Sequence, residues 1–279
     1  LAIIDKKNLA IRVAVAAVAI PLLLFLAKAG NLPFVGLVGL AAFLGMLEFS
    51  KIASGNQTKI HRVSLGVVLV VTLVLAYYQI WSALPFVFLV TFFALTTVLL
   101  KLPVEEAVKR LAFSLLAVAY LSLFVFWILI RELPRFSSGD YASGGFWMIS
   151  LFLIVWSCDT AAYFGGKWLG KHQLAPSLSP SKTREGSVFG ILGALVAAGL
   201  IHFIIINSLR LFDLLIVALL VGTIGQLGDL FESLLKRSAQ LKDTSTIIPG
   251  HGGVLDRFDS LLFVSPWVYL YLRWLVYRN

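Results

Sequence analysis

Cysteine is almost absent from this 279-residue chain: Cys158 stands alone, so no intrachain disulfide can form and the redox compartment stays open. The four histidines, His61, His172, His202 and His251, have no paired spacing, which with a single cysteine excludes the usual zinc centres. No Gly-x-x-x-x-Gly-Lys-Ser/Thr run occurs, which excludes a P-loop ATPase. Period-two alternation is missing from the apolar runs, which argues against a membrane β-barrel. No internal repeat is visible, which weakens an inverted-repeat transporter. Charge is scarce too, at 13% of residues, and what there is leans basic, with a formal net charge of +9.

Apolar residues fill the space, at 59% of the chain with a mean hydropathy of +0.94. Soluble domains hold roughly 45–50%. Nine runs are long enough for a ~30 Å hydrocarbon core, which takes about 20 helical residues: 9–28, 32–52, 62–81, 83–100, 107–130, 146–165, 187–209, 211–232 and 260–277. The expected fold is an all-α polytopic membrane protein with about nine transmembrane helices. Lys6, Lys7 and Arg12 around the start of the first run resemble the beginning of a signal peptide, but the run is long and lacks a small-residue cleavage site, so it reads as a true helix. Most of the 23 Lys and Arg fall at the N-terminus and in the connections around 51–62, 101–110, 167–184 and 236–257. The positive-inside rule places these in the cytoplasm, with the N-terminus, and puts the C-terminus outside.

Residues 1–140 read as scaffold helices and 141–279 as the catalytic region. In the first part Glu48, beside Lys51 at the end of the second run, reads as an interfacial residue, and Glu105, Glu106, Lys109 and Arg110 as a solvated helix start after Pro103. Residues 131–145 read as a flexible external connector. In the second part Asp159 lies inside the sixth run, and intramembrane carboxylates are functional candidates by default. Gly222, Gly225 and Gly228 permit close helix approach, and Asp229, Glu232, Ser233 and Lys236 continue on one helical face.

The densest cluster spans 233–259, between two apolar runs. Lys236, Arg237, Lys242 and Arg257 supply cations there. Pro249 and Gly250 break the helix, His251 donates to a phosphate or caps the turn, and Gly252 and Gly253 let backbone amides approach an anion. Asp256 and Asp259 stand three apart at the next helix start. Hard carboxylate oxygens beside phosphate-type loops suit Mg2+, which takes one or two carboxylates plus substrate phosphates. Upstream, Ser181, Lys182 and Thr183 precede the seventh run, where hydroxyls, amides and a cation near a helix N-terminus form a phosphate site. Cation-coupled transport is the rival from another class, but its charges belong near the bilayer midplane rather than at one cytoplasmic end.

The 233–259 segment resembles the signature of the phosphatidate cytidylyltransferases, or CDP-diacylglycerol synthases. The resemblance rests on Ser233, Lys236-Arg237, Lys242-Asp243, Ser245, Pro249, His251-Gly252-Gly253, Asp256-Arg257 and Asp259. Asp159-Thr160 with Ala162-Tyr163, and Ser179 to Thr183 with Glu185-Gly186, resemble two further blocks of the family in the same order. Arg184 departs from the pattern, standing where the family usually has tryptophan. The resemblance implies Mg2+-dependent transfer of a cytidylyl group from CTP to phosphatidate on the cytoplasmic face of a bacterial inner membrane. A second cation is compatible with the resemblance, and another membrane phospho-lipid is the alternative acceptor. Asp229 and Asp256 are the implied metal ligands, with Asp259 helping. Lys236 and Arg257 join these aspartates as the expected catalytic set. Ser181, Lys182, Thr183, Arg237, Lys242, His251, Gly252, Gly253 and Asp159 are the expected substrate contacts. CTP, phosphatidate and the bilayer are the expected partners, with no nucleic acid; oligomeric state is left open, a homodimer included.

Overall fold

The computed structural model describes residues 6–278, with the side chains of a few of these left aside, and those residues are almost entirely helical. Each of the nine apolar runs is helical. Among the described residues, six helices are long and apolar enough to cross a membrane: Ala10–Ala29, Asn31–Gly55, Val104–Ser138, Tyr141–Leu169, Arg184–Ile205 and Leu211–Ser238. Arg62–Tyr77 and Pro85–Thr97 are apolar but shorter, and the last run forms the 17-residue helix Leu255–Tyr271 continued by a π-helical turn, Leu272–Val276. The chain is a polytopic α-helical membrane protein.

The helices begin where the local chemistry allows. α1 (Lys6–Ala29) gives way to α2 (Asn31–Gly55) through Gly30, whose φ of 66° suits a residue without Cβ. His61 caps α3 (Arg62–Tyr77) by accepting from Ser64 N, and Pro85 sits in the first turn of α4 (Leu84–Leu99), where no amide partner is lost. α5 (Val104–Leu121) starts after Pro103 with exposed Glu105 and Glu106 in its first turn, as the sequence indicates.

The stretch read as a flexible connector, 131–145, is instead ordered helix apart from Gly139 and Asp140. α6 (Val125–Ser138) carries Arg131 and Glu132 in buried positions. Arg131 donates to the Tyr141 carbonyl at 3.0 Å and lies 4.0 Å from the centre of the Tyr141 ring, while Glu132 accepts from Arg135 at 3.3 Å. Each buried charge thus has a nearby partner, a carbonyl and a ring for Arg131 and a second arginine for Glu132, so local polarity does not signal a loop. Asp140 then caps α7 (Tyr141–Leu169), accepting from the amides of Ala142 and Ser143.

A short antiparallel hairpin follows, β1 (Gln173–Ala175) and β2 (Ser179–Thr183), then α8 (Arg184–Leu200), α9 (Leu211–Leu220), α10 (Gln226–Ser238) and α11 (Leu255–Tyr271). α10 ends at Ser238, before Gln240 (φ 58°), and not at Pro249-Gly250: the left-handed residue closes the helix earlier than the proline signal suggests.

Two compact units share the chain. One comprises residues up to Val125 together with Lys236–Arg257; its core includes the fully buried Phe34, Phe49, Ile52 and Leu121. The other comprises Phe126–Leu235 and the chain from Phe258 on. There Trp127 packs edge-on against Phe152 and Phe258, with ring centroids at 5.7 and 4.9 Å. Small residues let the helices of this second unit meet closely, since a Cβ at Gly222 would come 2.9 Å from the Ile191 backbone and one at Gly228 would come 2.6 Å from the Asp259 carbonyl.

Candidate active site

In the second unit the hairpin presents the predicted phosphate loop. Thr183 caps α8: its Oγ1 accepts from Gly186 N at 3.1 Å, so this hydroxyl serves the helix end. Ser181 is exposed. Lys182 forms an ion pair with Asp229 of α10, both side chains about one-third exposed or less. Glu185 fastens the hairpin to α8, accepting from the amides of Lys171 and His172 at 3.1 and 3.2 Å and pairing with His172 Nδ1 at 2.6 Å. Gln226 donates to the Ser187 carbonyl at 3.0 Å, holding α10 beside α8.

Asp259 of α11 lies within electrostatic reach of Asp229, Glu232 and Asp159, so the sequence-predicted carboxylates of this unit share one neighbourhood. Glu232 is buried, whereas Asp159 is exposed. Among the described residues no three His, Cys, Asp or Glu side chains stand close enough to hold a metal ion. The donor chemistry nonetheless suits a hard divalent cation: carboxylate oxygens without thiol or imidazole, and a lysine ammonium already seated on Asp229.

The first unit holds the rest of the signature, and Asp256 is its knot. Asp256 Oδ1 accepts from Lys236 Nζ at 2.7 Å, and Oδ2 accepts from Gly253 N at 2.8 Å and Thr244 N at 3.0 Å, with Thr244 Oγ1 at 2.9 Å. The pair is nearly enclosed, with side chains 13% and 4% exposed, so solvent screens it little. Asp256 can give Oδ1 to a cation only in exchange for the Lys236 ammonium. A pocket of about 590 Å3 opens at this loop, lined by Arg12, Asp243, Ser245, Thr246, Ile248, Gly250, His251, Gly252 and Arg257. Arg257, Lys242 and Arg237 are exposed, and His251 Nδ1 sits 3.4 Å from its own Pro249 carbonyl, so its ring stays with the turn. Gly252 has a φ of 87°, which a side chain would strain.

Two residues at this loop escaped the sequence reading. Arg12 of α1 counted there only as basic charge near the start of the chain's first apolar run. Glu48, read as interfacial, is fully buried and accepts from Ser245 Oγ at 2.6 Å, Thr244 Oγ1 at 3.0 Å, and the amides of Val254 and Leu255, each at 2.9 Å. A carboxylate on a largely apolar helix is the one signal that could have found it.

Residues 10–275 match the model of the cytidylyltransferase family, almost the whole chain. The chain belongs to that family. Among its curated relatives in the family's chemistry, phosphatidate cytidylyltransferase of Bacillus subtilis (strain 168) is 41% identical over 186 residues, 64% of this chain and 66% of the relative. The enzymes of that name from Staphylococcus haemolyticus (strain JCSC1435) and Staphylococcus aureus (strain COL) are 40% and 42% identical over 156 residues, 56% of each chain. The chain therefore spans between about half and two thirds of the length of these relatives.

Proposed function

We propose that this chain transfers the cytidylyl group of CTP to phosphatidate at the cytoplasmic face of a bacterial inner membrane, releasing pyrophosphate and leaving CDP-diacylglycerol in the bilayer. The observation that carries this reading is the 41% identity to a relative named phosphatidate cytidylyltransferase. The chain's own geometry supports it, because Lys236 and Asp256 of the signature form a nearly enclosed ion pair beside exposed arginines and a lysine.

An oxygen of the phosphatidate phosphate attacks the α-phosphorus of CTP. A new P–O bond forms as the bond from that phosphorus to the bridging oxygen breaks, and the electron pair leaves with pyrophosphate. The nucleophile is already anionic, so no strong general base is required. The obstacle is repulsion between anions, relieved by positioning and charge neutralisation. Asp229 and Asp259 in the second unit, and Asp256 in the first, are each a proposed source of oxygens for Mg2+, which would neutralise the triphosphate. Lys182 and Lys236, each now held by an aspartate, carry the ammonium groups that meet phosphate oxygens. Arg12 and Arg257 line the pocket at the signature loop and attract a phosphate there. Arg237 and Lys242, exposed at the same end, add attraction for the anionic substrates.

The test is pyrophosphate release from CTP by purified protein with Mg2+, with and without phosphatidate. We expect release only with the lipid, matched by an equal amount of CDP-lipid. Release that ignores phosphatidate, or equal use of ATP, overturns the reading.

A further inference from the structure

Glu48 is a glutamate from α2 with no exposed surface, and four groups of the 244–255 segment converge on it. An ionised carboxylate withdrawn from water is costly unless donors replace its hydration, and here hydroxyls and amides do so. Two of the donors, Val254 N and Leu255 N, are orphan amides at the start of α11, so Glu48 caps that helix from another part of the chain. A local Ser or Asp would cap it with less desolvation. What only a remote carboxylate achieves is to fix the loop and the helix start together against α2.

The contact then runs onward. Thr244 Oγ1 lies 3.0 Å from Glu48 Oε2 and 2.9 Å from Asp256 Oδ2. A hydroxyl has one proton, so Thr244 is shared between the two carboxylates. Thr244 N adds a bond of 3.0 Å to Asp256, whose other oxygen holds Lys236 at 2.7 Å. Glu48 thus reaches the aspartate and the lysine through a single threonine.

We propose that Glu48 is a positioning residue for the reaction: through Thr244 it holds Asp256 and Lys236 in their working orientation. This rests on the cytidylyl-transfer reading above.

The experiment compares the full chain with Glu48→Gln, Thr244→Val, the double variant and Thr244→Ser, purified in detergent. For each, kcat and both KM values are measured on the folded fraction, and hydrogen exchange is measured across 244–256 without substrate. Each of Glu48→Gln and Thr244→Val should lower kcat roughly 10- to 100-fold, with KM values within about threefold. The double variant should fall no further than the worse single one, because both cut the same tie. Thr244→Ser, which restores the hydroxyl, should recover most of the kcat, and exchange at Gly253 to Asp256 should quicken in Glu48→Gln. A kcat in Glu48→Gln within about twofold of wild type, or losses that multiply in the double variant, overturns the proposal. If Glu48→Gln cannot be recovered folded, equal kcat in Thr244→Val and Thr244→Ser overturns it. If the wild-type chain makes no CDP-lipid, the reaction reading fails by itself, and unchanged exchange in Glu48→Gln then overturns the tie separately.

Discussion

A Cβ at Gly253 would come 2.7 Å from both carboxylate oxygens of Glu48 and closer still to Thr244 Oγ1. A methyl group there has to displace either the buried glutamate or the threonine that shares its proton. Overpacking of this kind costs about 1–3 kcal/mol. Gly253→Ala should therefore lower the thermal midpoint and cut CDP-lipid formation together, read by unfolding in detergent and by product assay. A different outcome is expected at Lys182, which pairs with Asp229 at the surface of the second unit. Lys182→Met should lower activity about 100-fold through loss of charge neutralisation while leaving the thermal midpoint within about 2 °C, since a part-exposed pair adds little to stability. The spacing of Asp229, Lys236, Asp256 and Asp259 was readable in the chain. Glu48 was not, because its partners lie about two hundred positions away and no local pattern links them. The division of labour among the aspartates was also hidden, since sequence spacing places Asp256 near cations but does not say that its oxygens hold a loop closed.

Elements were more legible than their ends. Hydropathy located every helical run, because a bilayer demands continuous apolar length. It failed where buried charges find partners within helices: Arg131 and Glu132 gave 131–145 the look of a connector, although the backbone there is helix up to Ser138 and again from Tyr141. The hairpin of β1 and β2 was missed for another reason. Its strands are three and five residues long, too short for alternation to register. The junction at Asp140 yields a prediction at this scale. Asp140 accepts from the Ser143 hydroxyl and from the first amides of α7, and the hydroxyl bond, then those backbone bonds, hold its carboxyl below the ordinary aspartate range despite slight desolvation. A depressed carboxyl stabilises the fold above its unfolded pKa and stops doing so as pH falls through its folded value. Asp140→Ala should cost at most about 1 kcal/mol at neutral pH, as an exposed cap. That difference should shrink as pH falls below the usual aspartate pKa and vanish once pH is below the carboxyl's lowered folded value. Thermal melts across pH read it directly, and CDP-lipid formation should be unaffected.

At the scale of the molecule, the distribution of Lys and Arg makes the orientation testable. Cys158 is the only cysteine and is buried, so Cys158→Ser gives a clean background for labelling. In that background a membrane-impermeant maleimide added to intact spheroplasts should label Ser138→Cys but reach Lys109→Cys only after permeabilisation. The opposite pattern reverses the orientation and with it the cytoplasmic site. Orientation is a property of the whole charge distribution, which is why composition spoke to it so early. The two compact units, by contrast, could not be read from the chain, because each is assembled from segments that are not consecutive.

The burial of Glu48 also has a consequence for biogenesis. Its four partners lie 196 to 207 residues further along the chain. At about 5–20 residues per second of synthesis, α2 waits on the order of 10–40 s in the membrane before the segment that satisfies its carboxylate emerges from the ribosome. During that interval a charged group at the end of an apolar helix has only water, lipid headgroups or a chaperone to turn to. A chain stalled before Thr244 lacks all four of these donors, so the carboxylate of α2 has none of the partners that replace its hydration in the folded protein.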